Sequence, residues 1–339
     1  MKLRKNWEIK TGFLTRIKNL YKKGGFNPAF YVYRYRFNNP RMSAVKPYPY
    51  PIDLIAELTN ACNLKCAMCF QSDEALPVLK TTKVSVMAMD TFKKIVDESV
   101  KHHLPALKLS WRGESMLHKN FLEMLTYAKS RGVLEVTTLT NGTRMDESMC
   151  RGIVNAGLDQ IVVSIDGITK ETFEKIRVGA DYDQVLSNVK TLIAIRGGAR
   201  KPFIRLQYTE SEINKHETSQ FYDYWKDKVD EISVSYCKEF PSPQKEDPKT
   251  ASVHEYCCQQ PFQRLVIMTD GTVTVCATDV MGNITIGNIN ETSIENLWHS
   301  PKMEAFRKMH LSNNYHKHPM CRICVDHLYK ANSKSGRLD

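Results

Sequence analysis

The chain of 339 residues carries 48 Lys and Arg against 37 Asp and Glu, a formal net charge of +11, and 42% of its residues are hydrophobic. This is the composition of a globular protein with room for two domains of about 150 residues each, and it excludes a disulfide-stapled miniprotein or a disordered tail. No run approaches the ~18 apolar residues of a membrane span, and the first residues lack the apolar stretch of a signal peptide. We therefore expect a cytoplasmic protein.

The positive charge is concentrated at the start of the chain. Residues 1–50 hold twelve basic residues and one acidic residue, Glu8, whereas the remainder is balanced. Apolar residues recur at helical spacing before Gly24-Gly25 and predict a basic amphipathic helix: Phe13, Leu14, Ile17, Leu20 and Tyr21. Such a helix suits docking to an anionic membrane surface, to an acidic or phosphate-bearing substrate, or onto the protein itself. We expect no nucleic-acid partner.

Short β-rich runs alternate with helical patterns between residues 51 and 240. Strands are predicted at 52–58, 106–110, 133–139, 160–165, 203–208 and 231–236. Helices are predicted at 91–102, 120–131, 146–156, 170–176, 182–195 and about 217–228, with Asp90 as the N-cap of the first. Six strands that alternate with helices predict an α/β fold, a partial (β/α)6 barrel of the TIM type.

Polar motifs follow the predicted strands, where a barrel of this type carries its functional residues. A cysteine triplet comes after the first strand, Arg112-Gly113-Glu114 after the second, and Thr140-Asn141-Gly142 after the third. Ser164 and Asp166 lie at the end of the fourth strand. The sequence therefore predicts one functional rim.

A segment rich in Pro and charge separates the barrel from the C-terminal part of the chain. Beyond it, the sequence LVIMTDGTVTVC predicts a hairpin that turns at Asp270-Gly271, followed by helices at 293–297 and 301–310. The predicted organisation is a basic extension (1–50), a barrel (51–240), a linker (241–255) and a small second domain (256–339).

Ten cysteines in a reducing compartment favour metal ligation over disulfides. Seven of them form two groups, which are Cys62, Cys66 and Cys69, then Cys258, Cys276, Cys321 and Cys324. Structural zinc takes four ligands, whereas a [4Fe–4S] cluster bound by three thiolates keeps one iron open. Three thiolates on one short loop therefore favour an open iron over structural thiols or an incomplete zinc site.

The sequence CNLKCAMC after a strand resembles the C-x3-C-x2-C motif of the radical S-adenosylmethionine (radical SAM) superfamily, and the resemblance extends over residues 51–240. It implies a [4Fe–4S] cluster held by Cys62, Cys66 and Cys69, whose open iron chelates SAM. In that family, reduction of the cluster cleaves SAM to methionine and a 5′-deoxyadenosyl radical, which takes hydrogen from an unactivated C–H bond. An external one-electron reductant such as flavodoxin or ferredoxin is implied as well.

The resemblance also implies residues that contact SAM. Gly113 and Glu114 match the end of the family's GGE motif, which holds the SAM ammonium, although Arg112 replaces the first Gly. Ser164 and Asp166 resemble the ribose-binding pair, because a diol pairs with donor and acceptor groups together. Further candidates are Met68 or Phe70 at adenine, Arg177 near the SAM carboxylate, and Asn141 and Gln207. Core packing for Met68, a solvated Arg177 and a plain turn at Asn141 are the structural alternatives.

The second cysteine group resembles the SPASM/twitch auxiliary-cluster domain, with a Cys-x2-Pro match at Cys258 and Pro261. No cysteine follows Cys324 in the sequence, so the shorter twitch type fits. The four thiolates of Cys258, Cys276, Cys321 and Cys324 would ligate every iron of an auxiliary [4Fe–4S] cluster, which would then transfer electrons and bind no substrate. Zinc held by the same four is the alternative.

Two further cysteines are candidate catalytic residues. Cys237 ends the sixth predicted strand, and Cys257 adjoins Cys258. In radical epimerases of this class a thiol returns a hydrogen atom to the substrate radical, which either residue would do if it faced the substrate. The alternative for each is a small buried apolar side chain.

The nearest mechanistic models in the twitch-containing group act on carbohydrates and cyclitols. We therefore expect oxidation or epimerisation at a carbinol carbon of a small carbohydrate-like substrate. Maturation of a ribosomally synthesised peptide, by crosslinking or epimerisation, is the alternative, although the first fifty residues lack the strands of a winged-helix recognition domain. The remaining hypothesis is an iron–sulfur scaffold that catalyses no reaction. An open iron argues against it, because a purely structural cluster has no need of an open iron.

Overall fold

The computed structural model describes residues 23, 48–73, 83–237 and 247–334. Its strands are β1 (Asp53–Ala56), β2 (Ala106–Leu109), β3 (Glu135–Thr140), β4 (Gln160–Ser164), β5 (Phe203–Glu210), β6 (Glu231–Tyr236), β7 (Arg264–Ile267), β8 (Thr272–Thr274) and β9 (Thr285–Asn288). They form one sheet in the order β6-β5-β4-β3-β2-β1-β7-β8-β9. The first six strands pair in parallel in chain order, which confirms the predicted α/β partial barrel.

The helices lie between and after these strands. They are α1 (Met89–Lys101), α2 (Phe121–Ser130), α3 (Glu147–Asn155), α4 (Lys170–Ile176), α5 (Tyr182–Arg196), α6 (Thr218–Trp225), α7 (Ile294–Trp298), α8 (Pro301–Leu311) and α9 (Pro319–Lys334). Helix α1 shows why periodicity located them: Phe92, Ile95, Val96 and Ser99 are buried at the spacing of one helical face. The prediction of Asp90 as its N-cap is wrong. The N-cap is Ala88, and Asp90 lies in the first turn, where its negative charge interacts favourably with the helix dipole.

The C-terminal part of the chain joins the barrel through its sheet. Strand β7 pairs in parallel with β1, with Asp53 opposite Arg264 and Ala56 opposite Ile267. The predicted hairpin follows: β8 is antiparallel to β7, and Gly271 takes a positive φ of 86° in the turn. The barrel and the predicted second domain therefore share one continuous sheet. The domain limits themselves stay predictions, and residues 241–246 of the linker lie outside the described residues.

The predicted basic helix at the N-terminus lies outside the described residues, apart from Lys23. That side chain is buried against the start of the last two barrel strands, with Nζ 3.7 Å from Glu231 and 4.3 Å from the centre of the Phe203 ring. Within the described ranges, no helix combines the length and apolarity needed to cross a membrane.

Candidate metal and cofactor site

The loop that follows β1 carries the first cysteine group and is held by its backbone. The Lys65 and Ala67 N–H groups donate to the carbonyls of Val178 and Ile176, both at 2.9 Å, so the loop pairs with the chain leaving α4. Backbone bonds of this kind leave the cysteine side chains of the loop available for ligation.

The three thiols of this loop differ in exposure, since Cys66 is buried, Cys69 is half-buried and Cys62 is exposed, yet the pKa of each is raised. Desolvation, with the nearby Glu114, Cys66 and Cys69, raises the pKa of Cys62 to about 11. Burial also raises the pKa of Cys66 and of Cys69. Backbone N–H groups of Leu64, Gln71 and Ser72 donate to the sulfurs and oppose these shifts. Clustered thiols with donors aimed at them fit a metal group that replaces their protons and holds them as thiolates.

Arg177 connects the cysteine loop to the end of β4. Its Nε donates to Asp166 Oδ2 at 2.5 Å, and its Nη1 donates to Cys66 Sγ at 3.7 Å. The other oxygen of Asp166 accepts the Thr209 N–H at 2.6 Å. The structure thus brings Arg177 to the cysteine group, and its place near the SAM carboxylate stays a prediction. Both oxygens of the fully buried Asp166 accept hydrogen bonds from the protein.

Glu114 and Asn141 form a second support for the loop. The buried Glu114 carboxylate accepts hydrogen bonds from Met116 N at 3.2 Å, Thr140 Oγ1 at 2.9 Å and Asn141 N at 2.7 Å. Asn141 Nδ2 donates to Asn63 Oδ1 at 3.0 Å and to Cys62 Sγ at 3.9 Å. Because a carboxylate offers about four acceptor positions, one remains on Glu114 for a ligand. Burial raises the pKa of Glu114, so a bound cation would stabilise its ionised form.

The remaining cofactor candidates lie along the same rim. Ser164 is half-buried at the end of β4, and Gln207 Nε2 donates to Ser235 Oγ at 2.9 Å across β5 and β6. Met68 packs, partly buried, on the main hydrophobic core, as the structural alternative proposed. Phe70 is buried against Val280 and contacts the C-terminal part of the chain. These four side chains remain proposed SAM contacts.

The thiols of the second cysteine group lie near enough to one another to interact electrostatically. Burial is the main cause that raises the pKa of Cys321, and the nearby Cys258, Cys276 and Cys324 raise it further. Cys276 Sγ accepts the Thr278 N–H at 3.3 Å. Three desolvated thiols with the half-buried Cys324 near them fit full ligation of one iron–sulfur cluster. In the described part of the chain, no three His, Cys, Asp or Glu side chains are grouped so as to hold a single metal ion.

The two candidate catalytic cysteines have different surroundings. Cys237 is exposed just beyond β6, and its N–H donates to the Glu210 carbonyl at 2.7 Å. Cys257 is half-buried beside the second cysteine group. Cys150 is fully buried in α3, in agreement with a core role.

Sequence reasoning did not single out Glu57 or Trp111, and it regarded Arg112 only as a departure from a motif. Arg112 forms a bidentate ion pair with the fully buried Glu57, with both N···O distances at 2.6 Å. The signal in the sequence was an acidic residue directly after the apolar run Leu54-Ile55-Ala56, since such a residue needs a buried partner.

Comparison with known families gives two matches. Residues 56–200 match the model of the radical SAM superfamily, and residues 257–325 match the SPASM iron–sulfur cluster-binding domain.

Curated relatives match over about half of the chain. A probable GTP 3′,8-cyclase of Methanococcus maripaludis is 27% identical over 138 residues, which is 41% of this chain and 44% of the relative. A cofactor-modifying protein for tungsten-containing aldehyde ferredoxin oxidoreductase from Pyrococcus furiosus is 28% identical over 181 residues, 50% of this chain and 47% of the relative. The chain thus spans less than half the length of each of these relatives.

Solved structures share the fold over most of the chain. BtrN in complex with AdoMet and 2-DOIA has a TM-score of 0.54 at 16% identity, covering 80% of this chain and 91% of BtrN. Streptococcus suis SuiB bound to precursor peptide SuiA has a TM-score of 0.63 at 14% identity, covering 81% and 70%. The anSMEcpe structure with bound AdoMet has a TM-score of 0.62 at 17% identity, covering 84% and 95%.

Gly113→Ala should disrupt the rim, because a Cβ there would lie 2.3 Å from the Thr59 carbonyl and 2.4 Å from that of Ala61. We expect a loss of about 1–3 kcal/mol of unfolding free energy, together with weaker iron binding, measured by denaturant unfolding and iron analysis. Gly198→Ala is the matched control, since nothing lies within 4 Å of its added Cβ. Equal unfolding midpoints for the two variants would contradict the close packing of Gly113 against the Thr59 and Ala61 carbonyls.

Metal analysis distinguishes a protein with two iron–sulfur clusters from one that binds zinc at the second cysteine group. Anaerobically reconstituted protein should contain about eight iron atoms, and the triple variant Cys62→Ala, Cys66→Ala, Cys69→Ala about four. The double variant Cys258→Ala, Cys276→Ala removes the second group and should also contain about four iron atoms. Its SAM-dependent spectrum should stay intact. Stoichiometric zinc that survives in the triple variant would contradict the auxiliary cluster.

Proposed function

Since the chain is a member of the radical SAM superfamily with a C-terminal SPASM iron–sulfur domain, we propose that it oxidises or epimerises a carbinol carbon of a carbohydrate or cyclitol. The two domains imply a SAM-binding [4Fe–4S] cluster and an auxiliary iron–sulfur cluster. We assign the first to Cys62, Cys66 and Cys69, and the second to Cys258, Cys276, Cys321 and Cys324.

The convergence of four thiols in the second group is the observation that carries the proposal. Four thiolates leave no iron open, so the auxiliary site is suited to accept electrons and not to bind substrate. Oxidation of a carbinol by loss of one hydrogen atom leaves a radical that must give up one more electron and a proton. An electron acceptor within the same chain meets that need.

Uncharged polar groups on the rim suit a hydroxylated substrate. Gln207 on β5 and Ser235 on β6 are half-buried neighbours beside the proposed ribose contact Ser164, and their amide and hydroxyl groups both donate and accept hydrogen bonds. Near Cys258, the buried Gln259 Oε1 and Gln260 Oε1 have no donor within the described part of the chain.

The chain's own residues orient the reactants. When bound, the cluster and SAM supply a carbon radical that removes a hydrogen atom from the substrate. The free acceptor position of Glu114 would hold the SAM ammonium, while Asp166 fixes the Arg177 guanidinium beside Cys66. Asn141 holds the loop just after Cys62 by its bond to Asn63. Together these residues would determine the face of the substrate carbon from which the hydrogen atom is removed.

Epimerisation would need a hydrogen donor on the opposite face of the substrate. Cys237, exposed beyond β6, and Cys257, beside the auxiliary site, are the proposed donors. The thiol S–H would pass its hydrogen atom to the substrate radical, and an external one-electron reductant with one proton would restore the thiol. Flavodoxin or ferredoxin is the proposed reductant.

One comparison supports the proposal, and two others concern the alternative substrate classes. BtrN, solved with AdoMet and 2-DOIA, has the same fold with a small-molecule ligand. SuiB, solved with a precursor peptide, is the counterpart for the peptide alternative, and the matched GTP 3′,8-cyclases are named for a nucleotide substrate.

The substrate class is tested with deuterated candidates. Reconstituted protein, SAM and dithionite are incubated with C–²H-labelled hexoses, nucleotide sugars and cyclitols, and with unlabelled GTP and peptide for comparison. We expect deuterium in 5′-deoxyadenosine from a carbohydrate or cyclitol, and none with Cys62→Ala. A product two mass units lighter than unlabelled substrate indicates oxidation. Turnover of peptide or GTP alone would contradict the proposal.

The donor assignment has its own outcome. If the reaction is an epimerisation, solvent deuterium should enter the product, and either Cys237→Ala or Cys257→Ala should abolish that incorporation. Formation of 5′-deoxyadenosine should stay within about twofold of wild type, because the donor acts after hydrogen abstraction. Unchanged epimerisation in both variants would show that neither thiol is the donor.

A further inference from the structure

The residues that leave β2, Trp111 and Arg112, reach across to the segment 276–281, here named the Cys276 loop. The Trp111 indole Nε1–H donates to the Ala277 carbonyl at 2.9 Å, and Arg112 Nη1 donates to the Val280 carbonyl at 3.3 Å. The Arg112 guanidinium carbon also lies 4.6 Å from the centre of the Trp111 ring, within cation–π range. Both residues therefore hold this loop against the barrel rim.

The direction of Arg112 is set by Glu57 at the end of β1. Nε and Nη2 donate to the two carboxylate oxygens at 2.6 Å each, which is the bidentate geometry of a strong pair. Glu57 Oε2 also accepts the Thr269 N–H at 3.4 Å, from the hairpin that follows β7. The bidentate geometry gives the pair one well-defined arrangement. Removal of either partner would leave a buried charge unpaired.

The Cys276 loop is rigid in itself. The fully buried Asp279 accepts hydrogen bonds from Thr274 Oγ1 at 2.9 Å, Asn283 N at 2.8 Å and Ile284 N at 2.7 Å. A loop braced in this way keeps its shape. Its placement against the barrel therefore depends on contacts outside the loop, such as those of Trp111 and Arg112.

The same loop contacts both cysteine groups. It contains Cys276, and its Val280 and Met281 pack against Phe70, the residue that follows Cys69. The Cys276 loop thus links a ligand of the proposed auxiliary cluster to the residue that follows a ligand of the proposed SAM-binding cluster.

We propose that Trp111 and Arg112 are positioning residues for electron transfer between the two iron–sulfur sites, which they serve by fixing the Cys276 loop against Phe70. The inference rests on the proposed function in that it requires both clusters. Electron tunnelling weakens steeply with distance, so a small displacement of the loop slows transfer without removing any cluster ligand.

The test needs no carbohydrate substrate. Reconstituted protein is reduced with dithionite, freed of reductant and mixed with SAM, and 5′-deoxyadenosine is counted against time. Each cleavage consumes one electron and takes one hydrogen atom from a buffer C–H bond. The first phase uses the electron at the SAM-binding site, and a second phase uses the electron that arrives from the auxiliary site.

The variants are Arg112→Gln and Trp111→Phe, the second of which keeps the aromatic ring and loses only the indole donor. Arg131→Gln is the matched control, since Arg131 pairs with Asp97 at 2.9 Å and lies 6.0 Å from the Tyr127 ring centre, on helix α2. We expect the second phase to slow by about tenfold or more in both variants, with iron content and first phase as in the control.

An independent measurement follows the loop directly. Amide hydrogen exchange at residues 276–281 of the metal-loaded protein should accelerate about tenfold in both variants and stay unchanged in Arg131→Gln. Second-phase rates equal to those of the control, or no second phase in the wild type, would overturn the inference. A failure to turn over carbohydrates would affect neither result, so the two proposals can fail separately.

Discussion

Three thiols on one short loop must be presented together, and the rest of the rim is arranged around that requirement. Backbone hydrogen bonds from Lys65 and Ala67 fasten the loop to the chain beyond α4, and Gly113 passes so close to residues 59–61 that no side chain fits. Because these are main-chain contacts, they fix the loop without using any side chain that chemistry needs. Arg177 and Asn141 then approach the sulfurs from two sides.

The rim is connected to the auxiliary site by the sheet and by one ion pair. Strand β7 extends the barrel sheet beside β1, and Glu57 at the end of β1 holds Arg112 toward the loop after Cys276. An arginine in place of the usual first glycine of the motif is thus accounted for by the C-terminal part of the chain. A glycine at 112 would offer no charge to neutralise Glu57 in a buried setting.

The sequence predicted the strands, helices and cysteine groups because each produces a local pattern, periodic or fixed in spacing. It did not predict that β7 would pair with β1, since that contact joins residues more than two hundred positions apart and leaves no local signature. The cofactor candidates were harder for a related reason. The sequence predicts Asp166 and Glu114 as ligand contacts. In the structure, Asp166 accepts hydrogen bonds from Arg177 and Thr209, and Glu114 accepts one from Asn141. These partners are distant in the sequence, so only the packing of the folded chain determines them.

The central claim is that the loop of Cys62, Cys66 and Cys69 leaves one iron free to bind SAM. Electron–nuclear double resonance on the reduced, reconstituted protein tests it most directly, with SAM carrying ¹⁵N in its amino group and ¹⁷O in its carboxylate. We predict hyperfine coupling from both nuclei, lost in Cys66→Ala, because direct chelation places both groups on the iron. An iron–sulfur signal that shows no coupling to either nucleus at saturating SAM would contradict the account.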